Sequence, residues 1–112
     1  MSAATKLTNE IIDYIYRNGG YAWRASSVGV FDQRRNLYRT SAKRGVSDIL
    51  AVIPPNGRLI AIEVKLGGDV ISEVQEGFLK NIKNAGGISI VAKNFEDFKK
   101  EWSQKLSKLP SY

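Results

Sequence analysis

Apolar positions recur along the chain with two different periods, and the changes of period mark out the elements. Leu7, Ile11, Tyr14 and Ile15 are spaced as one face of a helix, which predicts an amphipathic helix over residues 5–18, stopped by Asn18-Gly19-Gly20. Tyr21 to Val28 is rich in β-formers and predicts a strand, while the polar, basic residues 29–45 read as a loop or a frayed hairpin. Asp48 to Ile53 is a nearly continuous apolar run, Pro54-Pro55-Asn56-Gly57 forces a turn, and Arg58 to Lys65 follows as the second strand of a hairpin. Leu66 to Ile71 is a loop.

Ser72-Glu73-Val74-Gln75 has the form of a capping box, with Ser at the N-cap and Gln at N3. Val74, Phe78, Leu79, Ile82 and Ala85 then keep a helical stripe until Gly86-Gly87. Ile88 to Ala92 reads as a buried strand, and Phe95, Phe98, Trp102 and Leu106 define a last helix over residues 95–106. The order is αβββαβα. A helix between two strands requires a crossover and at least one parallel pair, so the fold class is α/β, with a mixed central sheet flanked by helices on both faces. Trp23 reads as core, Leu59 and Ile90 as strand interior, and Phe95, Phe98 and Trp102 as core or dimer packing.

At 112 residues the chain has room for one domain over 1–112, and its 43% hydrophobic and 25% charged residues are those of a globular protein. No apolar run approaches the ~20 residues that cross a bilayer, and Met1 to Lys6 do not resemble a secretory signal, so neither membrane nor export is expected. Absence of Cys and His changes the picture more. It removes disulfides, the usual zinc sites, and nucleophile systems that need a histidine base. Any catalysis must come from carboxylates, Lys and Tyr. Oxygen-only ligands point to Mg²⁺, with Mn²⁺ as a substitute. The net charge is +6, and residues 1–44 alone carry eight Lys and Arg against three Asp and Glu. Five of those cations fall within 34–44, a concentration suited to a polyanion.

Candidate chemistry lies on the strand Ile60-Ala61-Ile62-Glu63-Val64-Lys65. Period-two alternation puts Glu63 and Lys65 on one face, and the short hairpin sets Asp48 beside them. Two carboxylates and a lysine at a strand end suit a hard divalent cation, with the backbone carbonyl of Val64 as a further ligand and Lys65 to orient water or stabilise a phosphorane-like transition state. The spacing alone fits a structural Glu–Lys pair equally well.

Gly45-Val46-Ser47-Asp48-Ile49-Leu50, Ile62-Glu63-Val64-Lys65, Ile71-Ser72-Glu73-Val74-Gln75 and Ala85-Gly86-Gly87, in this order, resemble the PD-(D/E)XK nuclease superfamily, and within it the small stand-alone VRR-NUC domains of viral and bacterial type. The resemblance runs from Glu10 to Lys99 and implies a restriction-endonuclease-like core. It further implies that Asp48 and Glu63 bind the metal, that Lys65 is the catalytic lysine, that Glu10 completes or supports the metal site, and that Gln75 supports it too. It implies a Mg²⁺-dependent endonuclease acting on branched DNA such as Holliday junctions, in repair or recombination, as a cytoplasmic homodimer. Ser47 stands where the family pattern usually has Pro. Lys43, Arg44 and Ser47 flank the aspartate as candidate phosphate contacts; Arg24, Arg34, Arg35 and Arg39 would follow the DNA backbone. Glu10 fits a surface helix residue and Gln75 a plain helix cap as well. A flap- or nick-directed or non-specific nuclease on the same site, a non-catalytic nucleic-acid-binding module and an α/β interaction domain are the rival functions.

Overall fold

The computed structural model describes residues 1–25, 30–32, 37–39 and 45–109, the two three-residue segments by their backbone. Helix α1 spans Ala3–Arg17, strand β1 Tyr21–Arg24, β2 Val30–Asp32, β3 Leu37–Arg39, β4 Ile49–Ile53 and β5 Arg58–Val64. Helix α2 is Glu73–Asn84, β6 is Ile88–Ala92, and helix α3 is Phe95–Ser107. Four strands form the main sheet in the order β1-β4-β5-β6, and β2 pairs with β3 in a separate antiparallel hairpin. Without that hairpin the order is the αβββαβα expected of a restriction-endonuclease-like fold. The polar segment read as a loop or frayed hairpin contains this small ladder.

β1 runs antiparallel to β4 and β4 antiparallel to β5, whereas β5 and β6 are parallel. The parallel pair is the one joined through α2, because a short turn cannot return the chain to the same direction. α1 starts two residues earlier than its apolar stripe indicates. Ser2 caps it, accepting from the Thr5 N–H at 3.1 Å. The capping box of α2 is formed in full by Ser72 and Gln75.

Alternation along the strands gives the sheet two different faces. Ile49, Ala51, Ile60, Ile62, Ile88, Ile90 and Ala92 point to one side and pack with Leu7, Ile11 and Ile15 of α1 and Phe98 and Trp102 of α3. Tyr14 completes this side, with its ring edge-on to Phe95, Phe98 and Trp102 at 5.8, 5.7 and 5.9 Å. The opposite side meets α2, which packs on β5 and β6. There Ser89 donates its hydroxyl to the Leu79 carbonyl at 2.6 Å. At Gly87 a Cβ would come within 2.6 Å of Ile82 Cγ2 and 2.9 Å of the Leu59 carbonyl, so only glycine lets the chain turn so closely from helix to strand. Trp23 departs from its expected place in the core. It is 39% exposed, because α2 leaves its half of the sheet uncovered.

No helix among the described residues is long and apolar enough to cross a membrane. Phe98 is fully buried at the centre of the aromatic group. Phe98→Ala should cost about 3–5 kcal/mol in urea unfolding, the range for truncating a buried aromatic. A loss below about 1 kcal/mol would mean that this cluster does not hold α3 to the sheet.

Candidate active site

The β4–β5 ladder pairs Ile49 with Ile62, and one further step sets Asp48 across from Glu63. Asp48 is fixed from two sides. Its carbonyl accepts from the Ala25 N–H at 2.9 Å, and its Oδ2 accepts from the Val64 N–H at 2.8 Å. The aspartate therefore stands immediately before β4 and caps the backbone of β5 at the position following Glu63. Val64 enters the site through its amide.

Glu63 ends a strand with neighbours on both edges, and it is only 2% exposed. Its Oε1 accepts from Gln75 Nε2 at 3.0 Å, while Oε2 is buried and receives no donor from the rest of the protein. Burial pushes the Glu63 carboxyl up to about 8, the facing Asp48 carboxyl pushes in the same direction through its hydrogen bond and its charge, and the Lys65 ammonium pulls the other way. Lys65 is half-buried just past the end of β5, where its N–H donates to the Ala92 carbonyl at 2.9 Å.

Gln75 does two things at once. Its Oε1 accepts from the Ser72 N–H at 3.0 Å, its own N–H donates to Ser72 Oγ at 3.2 Å, and this leaves Nε2 to donate to Glu63. The amide orientation follows from chemistry, since a backbone N–H needs an oxygen acceptor. Helix cap and site contact are thus compatible in one side chain. The approach to Asp48 is held against the same helix start. Gly45 has φ +74°, and a Cβ there would lie 2.5 Å from the Val74 carbonyl.

Asp48, Glu63, Lys65 and Gln75 lie together. Glu10 does not join them. It sits on α1, which packs on the other side of the sheet, and it lines a cleft of about 300 Å³ with Asp13, Tyr14, Arg17, Phe95 and Lys99. Among the described residues no three carboxylates converge as a metal cluster. Ser47, expected to touch phosphate, is fully buried with an unpartnered hydroxyl. Period two accounts for this: residue 47 is in phase with Ile49 and Ala51, which face the core. In this conformation no phosphate reaches it. Arg24 is exposed at the end of β1. Lys43, Arg44, Arg34 and Arg35 lie outside the described residues, and Arg39 is described only as backbone in β3. Sequence reasoning missed the Val64 amide and the exposure of Trp23, neither of which has a signal in residue type or spacing.

Two carboxyl groups face each other here, and one of them is buried with an oxygen that no other group of the protein donates to. The oxygen donors present suit a hard divalent cation. In comparison with known proteins, the family model described as the VRR-NUC domain matches residues 12–95, a span that starts after Glu10. No curated protein and no solved structure matches the chain.

The raised Glu63 carboxyl makes stability depend on pH. The native state keeps this proton up to about pH 8, whereas the unfolded chain releases it near 4.5. The contribution is therefore complete below 4.5 and is lost as pH rises through about 8. In the presence of a chelator, the Tm of the wild type relative to Glu63→Gln should fall steadily between these limits. A constant difference would mean that Glu63 is not held protonated.

Proposed function

Since the chain belongs to the VRR-NUC family of PD-(D/E)XK-type nuclease domains, we propose that it is a divalent-metal-dependent endonuclease that hydrolyses phosphodiester bonds of branched DNA at Asp48, Glu63 and Lys65. The observation that carries this reading is the buried Glu63 carboxyl facing the Asp48 carboxyl, with an oxygen that no other group of the protein donates to. A structural Glu–Lys pair would satisfy its buried oxygens within the protein.

Asp48 and Glu63, with the carbonyl of Val64, would hold Mg²⁺ or Mn²⁺. When bound, the cation supplies charge neutralisation at the phosphate and a lowered pKa for attacking water. The other tasks fall to the chain itself. The Val64 amide fixes the Asp48 carboxylate, and Gln75 fixes that of Glu63. A cation held here would favour the ionised Glu63 carboxyl against the burial and the facing Asp48 that keep it protonated. Lys65 presents its ammonium to the non-bridging oxygens, where negative charge grows in the transition state. Gln75 is a positioning residue, and it acts through Glu63.

The basic segment containing Arg34, Arg35, Arg39, Lys43 and Arg44, with Arg24 at the end of β1, supports DNA as the partner through backbone contacts. One catalytic group per chain cuts one strand, so resolving a four-way junction calls for a homodimer with two-fold symmetry.

Asp48→Asn and Lys65→Ala should bind a branched DNA about as tightly as the wild type, yet cleave it at least ~10²-fold more slowly with Mg²⁺, the scale of losing one electrostatic stabiliser. Parent-like cleavage by both would sink the assignment. Gln75 separates cap from site. Gln75→Glu keeps a capping-box acceptor but replaces the donor to Glu63 with a carboxylate. Its kcat should drop at least as far as that of Gln75→Ala, while only the alanine variant should lose the side-chain bond to the Ser72 N–H, worth about 0.5–1.5 kcal/mol. Equal kcat for Gln75→Glu and the wild type would remove Gln75 from the mechanism.

A further inference from the structure

Helix α2 covers only half of its face of the sheet. Among the described elements it packs on β5 and β6 and touches neither β1 nor β4. The uncovered half is built from alternate residues of the β1–β4 ladder, where Tyr21 pairs with Val52 and Trp23 with Leu50. Leu50 and Val52 form a half-buried floor. Tyr21 and Trp23 stand out from it, 60% and 39% exposed, with ring centroids 5.7 Å apart. Tyr16, 47% exposed, extends the row 5.8 Å beyond Tyr21. Its hydroxyl donates to the Ala22 carbonyl at 3.0 Å, which ties the ring to the strand. Three exposed aromatic rings in mutual contact on regular secondary structure differ from the scattered single hydrophobics of an ordinary surface.

The row leads to the catalytic group. Two residues past Trp23, Ala25 donates its N–H to the carbonyl of Asp48. Trp23 therefore lies one cross-strand row, about 7 Å along the strands, from the row that contains Asp48 and Glu63, on the same face of the sheet. The charge of the chain says what suits these rings. At +6, with five cations in residues 34–44 shortly after this strand, the protein attracts a polyanion. Every nucleobase has a flat face that stacks on Tyr or Trp, and stacking needs no particular sequence.

We propose that Tyr16, Tyr21 and Trp23 form a shelf that stacks unpaired bases of the DNA strand whose phosphodiester enters the Asp48–Glu63 group. The preferred substrate class is then DNA in which a single-stranded segment adjoins the cleavage point. This rests on the nuclease reading above, and it adds to that reading the element that selects the substrate.

The test is equilibrium binding of the full chain, with chelator present so that nothing is cut, to a labelled forked DNA and to a blunt duplex of the same sequence. Trp23→Ala and, separately, Tyr21→Ala should each lower the fork-to-duplex affinity ratio about tenfold, and Trp23→Phe should keep most of it. Two variants guard against one that fails to fold, as checked by circular dichroism. Single-stranded oligonucleotide should quench the tryptophan fluorescence of the wild type and not that of Trp23→Phe, because the remaining Trp102 is buried. An unchanged ratio in both alanine variants, or equal losses on fork and duplex, would overturn the proposal. So would sedimentation showing a wild-type dimer that either alanine variant splits, since the rings would then belong to an interface between copies. Failure to cleave any DNA with Mg²⁺ would count against the nuclease reading alone, and loss of the fork preference with cleavage intact would count against the shelf alone.

Discussion

A carboxyl group taken out of water must be neutral, paired or coordinated, and Glu63 places this chain under that constraint. It follows Ile60, Ala61 and Ile62, all buried, on a strand with neighbours on both edges. The ladder that buries it also sets Asp48 opposite, so two acids meet where one would already be costly. Without a cation the pair is relieved by keeping a proton. Under the function proposed above, a cation would relieve the same pair instead. The chemistry of the site and the destabilisation of the sheet end are therefore the same physical fact seen in two conditions.

Three short segments distant in sequence have to converge for this to work. Gly45 to Asp48 comes up against the start of α2, close enough that only a glycine fits at residue 45. Glu63 to Lys65 ends β5. Ser72 to Gln75 caps α2 and passes a hydrogen bond on to Glu63. The cap matters beyond helix stability, because a side chain already held at its oxygen has little freedom left at its nitrogen. A local rule of helix termini thus becomes a means of orienting a carboxylate.

The two faces of the sheet divide the remaining work. One is sealed by α1 and α3 around a continuous apolar cluster, and it fixes the strands. The other is covered by α2 over β5 and β6 and open over β1 and β4. The open half-face adjoins the sheet end that carries Asp48 and Glu63, and the exposed rings of Tyr21 and Trp23 stand there.

Periodicity determined much of this in advance. Alternation placed Glu63 and Lys65 on one side of a strand, the Pro-Pro-Asn-Gly turn placed Asp48 beside them, and the Ser72–Gln75 box marked the start of α2, since each is a short-range relation that the backbone enforces. Period two also contains the burial of Ser47, in phase with Ile49, although its residue type suggested the surface. What periodicity leaves open is which side of an element is covered. Glu10 borders an apolar stripe, but only the packing of α1 across the sheet from Glu63 decides that it lines a different cleft. Trp23 has the composition of a core residue, and only the reach of α2 leaves it exposed. The orphaned oxygen of Glu63 belongs to the same class, because hydrogen-bond satisfaction depends on neighbours from three separate segments. Local spacing sets the direction in which a side chain points; what it meets there is decided by the docking of distant elements.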